Sequence, residues 1–162
     1  MLFRSRIAGQ LNAICRAICE SRKGGLSRSL LMHPFQLHQM LPPVLSILLH
    51  SSLPPSHSTH LRTSAAQTMS HLLTQHSTTY PSLAPRIMKT LLLALVSTGK
   101  SRGTREGAIR GLVGVGKDAI RKGLIEGHGA KVVAQESQMP GYSSLAETVM
   151  VCSGIFQPTH AS

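Results

Sequence analysis

Aromatic residues are scarce, at 3% of the chain, and tryptophan is absent. A core must then be built from Leu, Ile, Val, Met and Ala, which suits helix-on-helix packing better than a β-sandwich. Cysteine is equally sparse. Cys15, Cys19 and Cys152 make no disulfide framework, so reduced intracellular thiols are expected. No apolar run approaches the length of a membrane span; the longest strong one, Leu91-Leu92-Leu93-Ala94-Leu95-Val96, suits a buried helix. Acids are the scarcest charge: six Asp and Glu stand against 17 Lys and Arg, a net charge of +11. Such a balance favours acidic partners, whether nucleic acid, an anionic membrane or an acidic protein surface. It is also what a piece of a larger protein with acidic counterparts elsewhere would show.

What is present is a chain of 162 residues, 41% hydrophobic, enough for one domain of ordinary size. The N-terminal stretch carries Arg4, Arg6, Arg16, Arg22 and Lys23 against the single acid Glu20, with apolar residues at helical spacing. This pattern fits a basic surface helix over 3–20 and is shared by mitochondrial transit peptides. Beyond Gly24-Gly25, the spacing predicts a short helical piece over 26–32, a turn or two over 35–41, and a helix that Pro42-Pro43 starts and that ends near His50. Residues 51–59 read as a loop. Further helices are expected over 60–75, 82–96 and 104–115, over 118–125 with Asp118 as N-cap, and over 144–155.

These helices repeat. Pro42-Pro43-Val44-Leu45-Ser46-Ile47-Leu48-Leu49 aligns with Pro85-Arg86-Ile87-Met88-Lys89-Thr90-Leu91-Leu92 at an offset of 43 residues. At the same offset, Leu61-Arg62-Thr63-Ser64-Ala65-Ala66 aligns with Thr104-Arg105-Glu106-Gly107-Ala108-Ile109. A period in this range, built from helix pairs, is that of HEAT-type repeats. The fold expected is therefore all-α, a HEAT-like solenoid of antiparallel helix pairs. Arg62 and Arg105 fall amid the apolar stripes of their helices, so both are expected to be structural inter-repeat struts that find carbonyls or a carboxylate of a neighbouring repeat. Gly103, Gly107 and Gly111 share another face at i, i+4 and i+8, where each costs about 1 kcal/mol against Ala. Close approach of a neighbouring backbone would account for them.

Candidate chemistry is thin. Gly111-Leu112-Val113-Gly114-Val115-Gly116-Lys117 matches G-x-x-x-x-G-K, most of a phosphate-binding loop. Yet Asp118 stands where a Ser or Thr would bind Mg²⁺, and Glu106–Arg110 is no strand. His57 with His60, and His71 with His76, lack the companions of a metal site, so the histidines read as polar surface. Cys152 has no basic neighbour in sequence, and Ser143 and Ser144 form no nucleophile elbow. No catalytic residue, cofactor or metal ligand is assigned, and the chain reads as no enzyme. The functional signal is charge: between Arg86 and Lys131, ten cations face three acids. From this set Arg102, Arg110, Lys117, Arg121 and Lys122 are the candidate partner-binding residues. Phosphate contact would use such a face, but the window holds no aromatic side chain on which a base could stack.

With the repeat established, three runs carry a resemblance: Leu37-His38-Gln39-Met40-Leu41-Pro42-Pro43-Val44-Leu45, His60-Leu61-Arg62-Thr63-Ser64-Ala65-Ala66, and Ser101-Arg102-Gly103-Thr104-Arg105-Glu106-Gly107-Ala108-Ile109-Arg110-Gly111-Leu112. Together they resemble the C-terminal HEAT domain of the TFIID subunit 6 family of TBP-associated factors, fungal members most of all. The resemblance implies a nuclear, non-enzymatic scaffold in RNA polymerase II transcription initiation, assembled with other subunits of TFIID and of SAGA-type coactivators. It also implies a histone fold, for which no sequence appears before residue 26. The domains expected are a divergent basic segment over 1–25, the HEAT-repeat domain over 26–133, and a terminal helix and tail over 134–162. Direct binding of nucleic acid by a basic helical repeat is the alternative reading, with weak non-specific DNA contact compatible with either. A mitochondrial location is the alternative to the nucleus should residues 1–25 act as a transit peptide; no membrane partner is expected.

Overall fold

The computed structural model describes residues 34–138 and Val149. The helices expected over 3–20, 26–32 and 144–155, the three cysteines and the segment 1–25 lie outside those residues, Val149 excepted. The order is α1 (Pro34–Leu49), α2 (Pro55–Gln75), α3 (Leu83–Val96), α4 (Arg102–Val115), a short α5 (Lys117–Ile120), a π-helical turn (Arg121–Glu126) and α6 (Gly129–Ser137). Every regular element among the described residues is helical. Five residues, 50–54, connect α1 to α2, and five, 97–101, connect α3 to α4. Such short connections turn the chain back on itself, giving two antiparallel helix pairs of the kind the 43-residue offset implied.

The pairs are welded through α4, which packs against α1, α2 and α3. Its buried face is Thr104, Gly107, Ala108, Ile109, Gly111 and Leu112. Around it close Val44, Ile47 and Leu48 from α1, Ala65, Ala66, Met69 and Leu73 from α2, and Ile87, Leu91, Ala94 and Leu95 from α3. The core is aliphatic throughout, as the missing aromatics required.

Four expectations need correcting. Pro42-Pro43 does not start a helix; both prolines lie inside α1. A mid-helix proline strips the i−4 carbonyl of its donor. Here those carbonyls belong to His38 and Gln39, which are exposed and can bind water instead. Meanwhile Leu37, Val44, Ile47 and Leu48 are driven into the core from the other side, and this burial holds the helix continuous. The loop over 51–59 is shorter than composition suggested, because α2 begins at Pro55, a proline preset for a first turn. Asp118 caps nothing and is exposed. The cap is Gly116, whose φ of +133° suits glycine and few others. Finally, α6 forms over residues to which the spacing assigns no helix, and its Val133 is buried.

Candidate interaction surface

The end of α1 shows how the sequence builds its functional scaffold. A helix leaves its last four carbonyls without intrahelical donors. At the end of α1 the Leu49 carbonyl, and that of His50 just beyond it, accept from neighbouring side chains. Thr104 Oγ1 donates to the Leu49 carbonyl at 3.1 Å, and Arg62 Nη2 donates to the His50 carbonyl at 3.0 Å. Gly107 lies so close to the Leu48 carbonyl that a Cβ there would overlap it, and at Gly103 a Cβ would come within 3.2 Å of the Ser51 carbonyl. Gly114 makes the equivalent approach to α2, with the Ala66 carbonyl 2.7 Å from where a Cβ would be. At Gly111 the neighbour is instead the flexible side chain of Leu91. Of the glycines in the near phosphate-loop, Gly111 and Gly114 thus serve helix packing and Gly116 the break between helices. Residues 111–115 are helical and hold no strand-to-loop turn.

Arg62 is 3% exposed and placed with its charge against the negative end of α1. Its Nη1 also faces Glu106 Oε2 at 3.6 Å, across to α4. Burial pushes the Arg62 guanidinium below its ordinary range, Glu106 draws it back up, and Arg110 pushes it further down. A guanidinium does not shed its proton at neutral pH, so the cost of burial is met by partners rather than by neutralisation. In the second pair Arg105 Nη2 donates to the Ser97 carbonyl at 3.1 Å, at the end of α3. Both arginines therefore clamp the first helix of their own pair from the second. The neighbouring-repeat carboxylate is met only by Arg62 in these bonds.

The five candidate partner-binding residues do not form one patch. Arg110 turns inward. Its Nη2 donates to Glu106 Oε1 at 3.1 Å and its Nη1 to Thr63 Oγ1 at 3.1 Å, with the side chain 15% exposed. Charge alone makes it a candidate contact, but α2 covers that flank of α4. Arg102 opens α4, about 20 Å along the axis from Val115, the far end of the helix, at 1.5 Å per residue. Lys117, Arg121 and Lys122 are exposed and near one another in sequence. Arg121 has only long contacts, 4.0 Å to Asp118 and 3.9 Å to Glu126, between exposed groups that contribute little.

Beneath that cluster runs an open groove of about 420 Å³. Its walls are Ile109, Leu112 and Val113 from α4, Ile120, Leu124 and Ile125 from the following turns, and Val149; Lys117, Asp118 and Arg121 rim it. The π-helical turn sets this geometry: Gly127 N–H bonds to the Lys122 carbonyl at 2.7 Å, one residue wider than an α-turn. Gly123 in that turn packs against Leu92 and Leu112. Ile125 is left 75% exposed. Composition flagged the charge here but could not flag the groove, because a π-turn has no sequence signature.

Two further observations bear on chemistry. Among the described residues no group of three His, Cys, Asp or Glu side chains could hold a metal ion, and no helix is long and apolar enough to cross a membrane. The histidines are not uniformly surface groups. His76 is buried at the end of α2, its ring tilted against Tyr80 at 6.3 Å and its carbonyl accepting from Tyr80 N–H. Periodicity missed it because the residue sits at a helix terminus, where the chain wraps back over its own end.

Comparison with known proteins matches the sequence to a family and to a curated relative. The profile of the TAF6 C-terminal HEAT repeat domain covers residues 26–128. A similar protein is the SAGA complex/transcription factor TFIID complex subunit Taf6 of Schizosaccharomyces pombe, 32% identical over 97 residues. The match takes in 57% of this chain and 21% of the relative, so the chain spans about a fifth of that protein's length. No solved structure matches. The profile covers well over half the chain, including both helix pairs, the clamp arginines and the glycines of α4: the chain belongs to the TAF6 C-terminal HEAT repeat domain family.

Proposed function

We propose that this chain is a non-enzymatic scaffold that docks other subunits within a TFIID- or SAGA-type assembly during transcription initiation by RNA polymerase II. The observation that carries the reading is the family match across both helix pairs, joined to a relative described as a subunit of those two complexes. A nuclear location follows from the same reading. The docking surface is the groove of Ile109, Val113, Ile120, Leu124 and Ile125 with Lys117, Arg121 and Lys122 around it. Apolar walls with basic residues close by fit an amphipathic, acidic segment of a partner. Arg102 forms a separate contact point at the far end of α4, and Arg110 acts inside the helix packing rather than as a direct contact in this groove.

The test is affinity purification of the tagged chain from its native cells, with identification of what accompanies it. Co-purification of TFIID or SAGA subunits, lost when Ile125→Asp and Lys117→Glu are combined, is the expected result. Retention of the same partners by the double variant would move the docking surface elsewhere. Recovery of nucleic acid alone would favour the alternative, direct binding of nucleic acid, for which the surplus of +11 is the supporting observation.

A further inference from the structure

Among the side chains packed between α2 and α4, the charges do not balance. Arg62 and Arg110 share one carboxylate, Glu106, which meets Arg62 Nη1 with Oε2 and Arg110 Nη2 with Oε1. All three are largely withdrawn from water, their side chains 3%, 15% and 12% exposed. The Nε atoms of both arginines are buried and without a hydrogen-bond partner. Burying an uncompensated charge costs several kcal/mol in real proteins. Natural networks of this kind complete themselves or sit where something else completes them. The open edge is at Thr63. Its hydroxyl takes a hydrogen bond from Arg110 Nη1 at 3.1 Å while donating to the Thr59 carbonyl at 2.8 Å, and Thr63 is half-buried.

We propose that the Arg62–Glu106–Arg110 network is an anion site one carboxylate short, and that a Glu or Asp side chain of a partner's acidic segment supplies it at the Arg110–Thr63 edge. This site shares no lining residue with the groove and takes a single carboxylate rather than an apolar helix face. It rests on the docking reading only for the source of that carboxylate. A charge-assisted bond at Arg110 gives the acidic segment a fixed register, since the guanidinium is already oriented by Glu106 and Thr63.

The experiment uses the full chain and a hexaglutamate peptide as probe, titrated at fixed ionic strength, so that no native partner is needed. Thr63→Asp places a carboxylate against Arg110 within the protein itself. It is expected to raise the melting temperature of the free chain and to weaken hexaglutamate binding about tenfold, the loss of one charged hydrogen bond. Lys131→Gln removes one exposed charge elsewhere and is expected to weaken binding less than about twofold. Arg110→Gln, which removes the surplus charge by another route, is expected to match Thr63→Asp in binding. Equal hexaglutamate affinity for Arg110→Gln and Lys131→Gln overturns the proposal, whatever the stability of Thr63→Asp. Failure of the co-purification described above, with these differences intact, would leave the anion site standing and remove only the subunit reading.

Discussion

At the scale of single residues, Arg62 and Gly107 carry the most. Arg62→Ala removes the donor to the His50 carbonyl and one of two cations on Glu106. We expect a loss of about 2–4 kcal/mol, toward the range for breaking a buried pair, read from chemical denaturation. Arg105 has the corresponding bond to Ser97, and Arg105→Ala should cost about 1–3 kcal/mol; an unchanged melting curve would remove its clamp role. Gly107→Ala should be more damaging than Gly111→Ala. The added methyl meets the rigid Leu48 carbonyl at the first and the movable Leu91 side chain at the second. An overpacking cost of about 1–3 kcal/mol or more separates them. These roles were partly legible in the sequence. The match of Arg62 to Arg105, each inside an apolar stripe, pointed to buried cations. The i, i+4, i+8 glycines pointed to close approach. Glu106 was not legible, because its value comes from lying between two arginines 44 residues and four residues away in the chain. The inward packing of Arg110 was not legible either, since no periodicity within α4 reveals which flank α2 covers.

At the scale of elements, burial overrode local grammar. Two adjacent prolines are the strongest breaker signal in the described chain, yet α1 runs through them because its apolar stripe is continuous on the buried side. Pro42→Ala should therefore stabilise α1 rather than disturb it, since it restores a backbone donor in an exposed part of the helix. A drop in melting temperature would show that the proline is needed for its shape. The repeat of helix pairs was legible because periods in sequence translate directly into stacked units. The π-turn was not, since its one-residue excess leaves the surrounding apolar pattern almost unchanged.

At the scale of the whole molecule, charge is the unspent signal. In the π-turn, Arg121 is compensated by Asp118 and Glu126 through long contacts between exposed groups. If the chain is a protein-docking scaffold, unspecific duplex DNA should show no binding at physiological salt. Micromolar binding that falls steeply as salt rises would instead mark several phosphate contacts and favour the nucleic-acid reading. Composition points to an acidic partner. What it could not supply was the division of that charge into an internal share, held by Arg62, Arg105 and Arg110, and an external one at Lys117, Arg121 and Lys122.

The position of α4 among its neighbours has a consequence for how the chain is made. Thr104 and Gly107 complete the end of α1, which leaves the ribosome more than fifty residues earlier. Until α4 emerges, the first helix pair lacks the partner that covers its apolar face and meets its terminal carbonyls. At a synthesis rate of about 5–20 residues per second, the forty residues between the end of α2 and the end of α4 take about 2–8 seconds. Throughout that interval Val44, Leu48, Ala65 and Met69 form an uncovered surface on the nascent chain, one that a chaperone or an assembly partner can reach before the second pair closes over it.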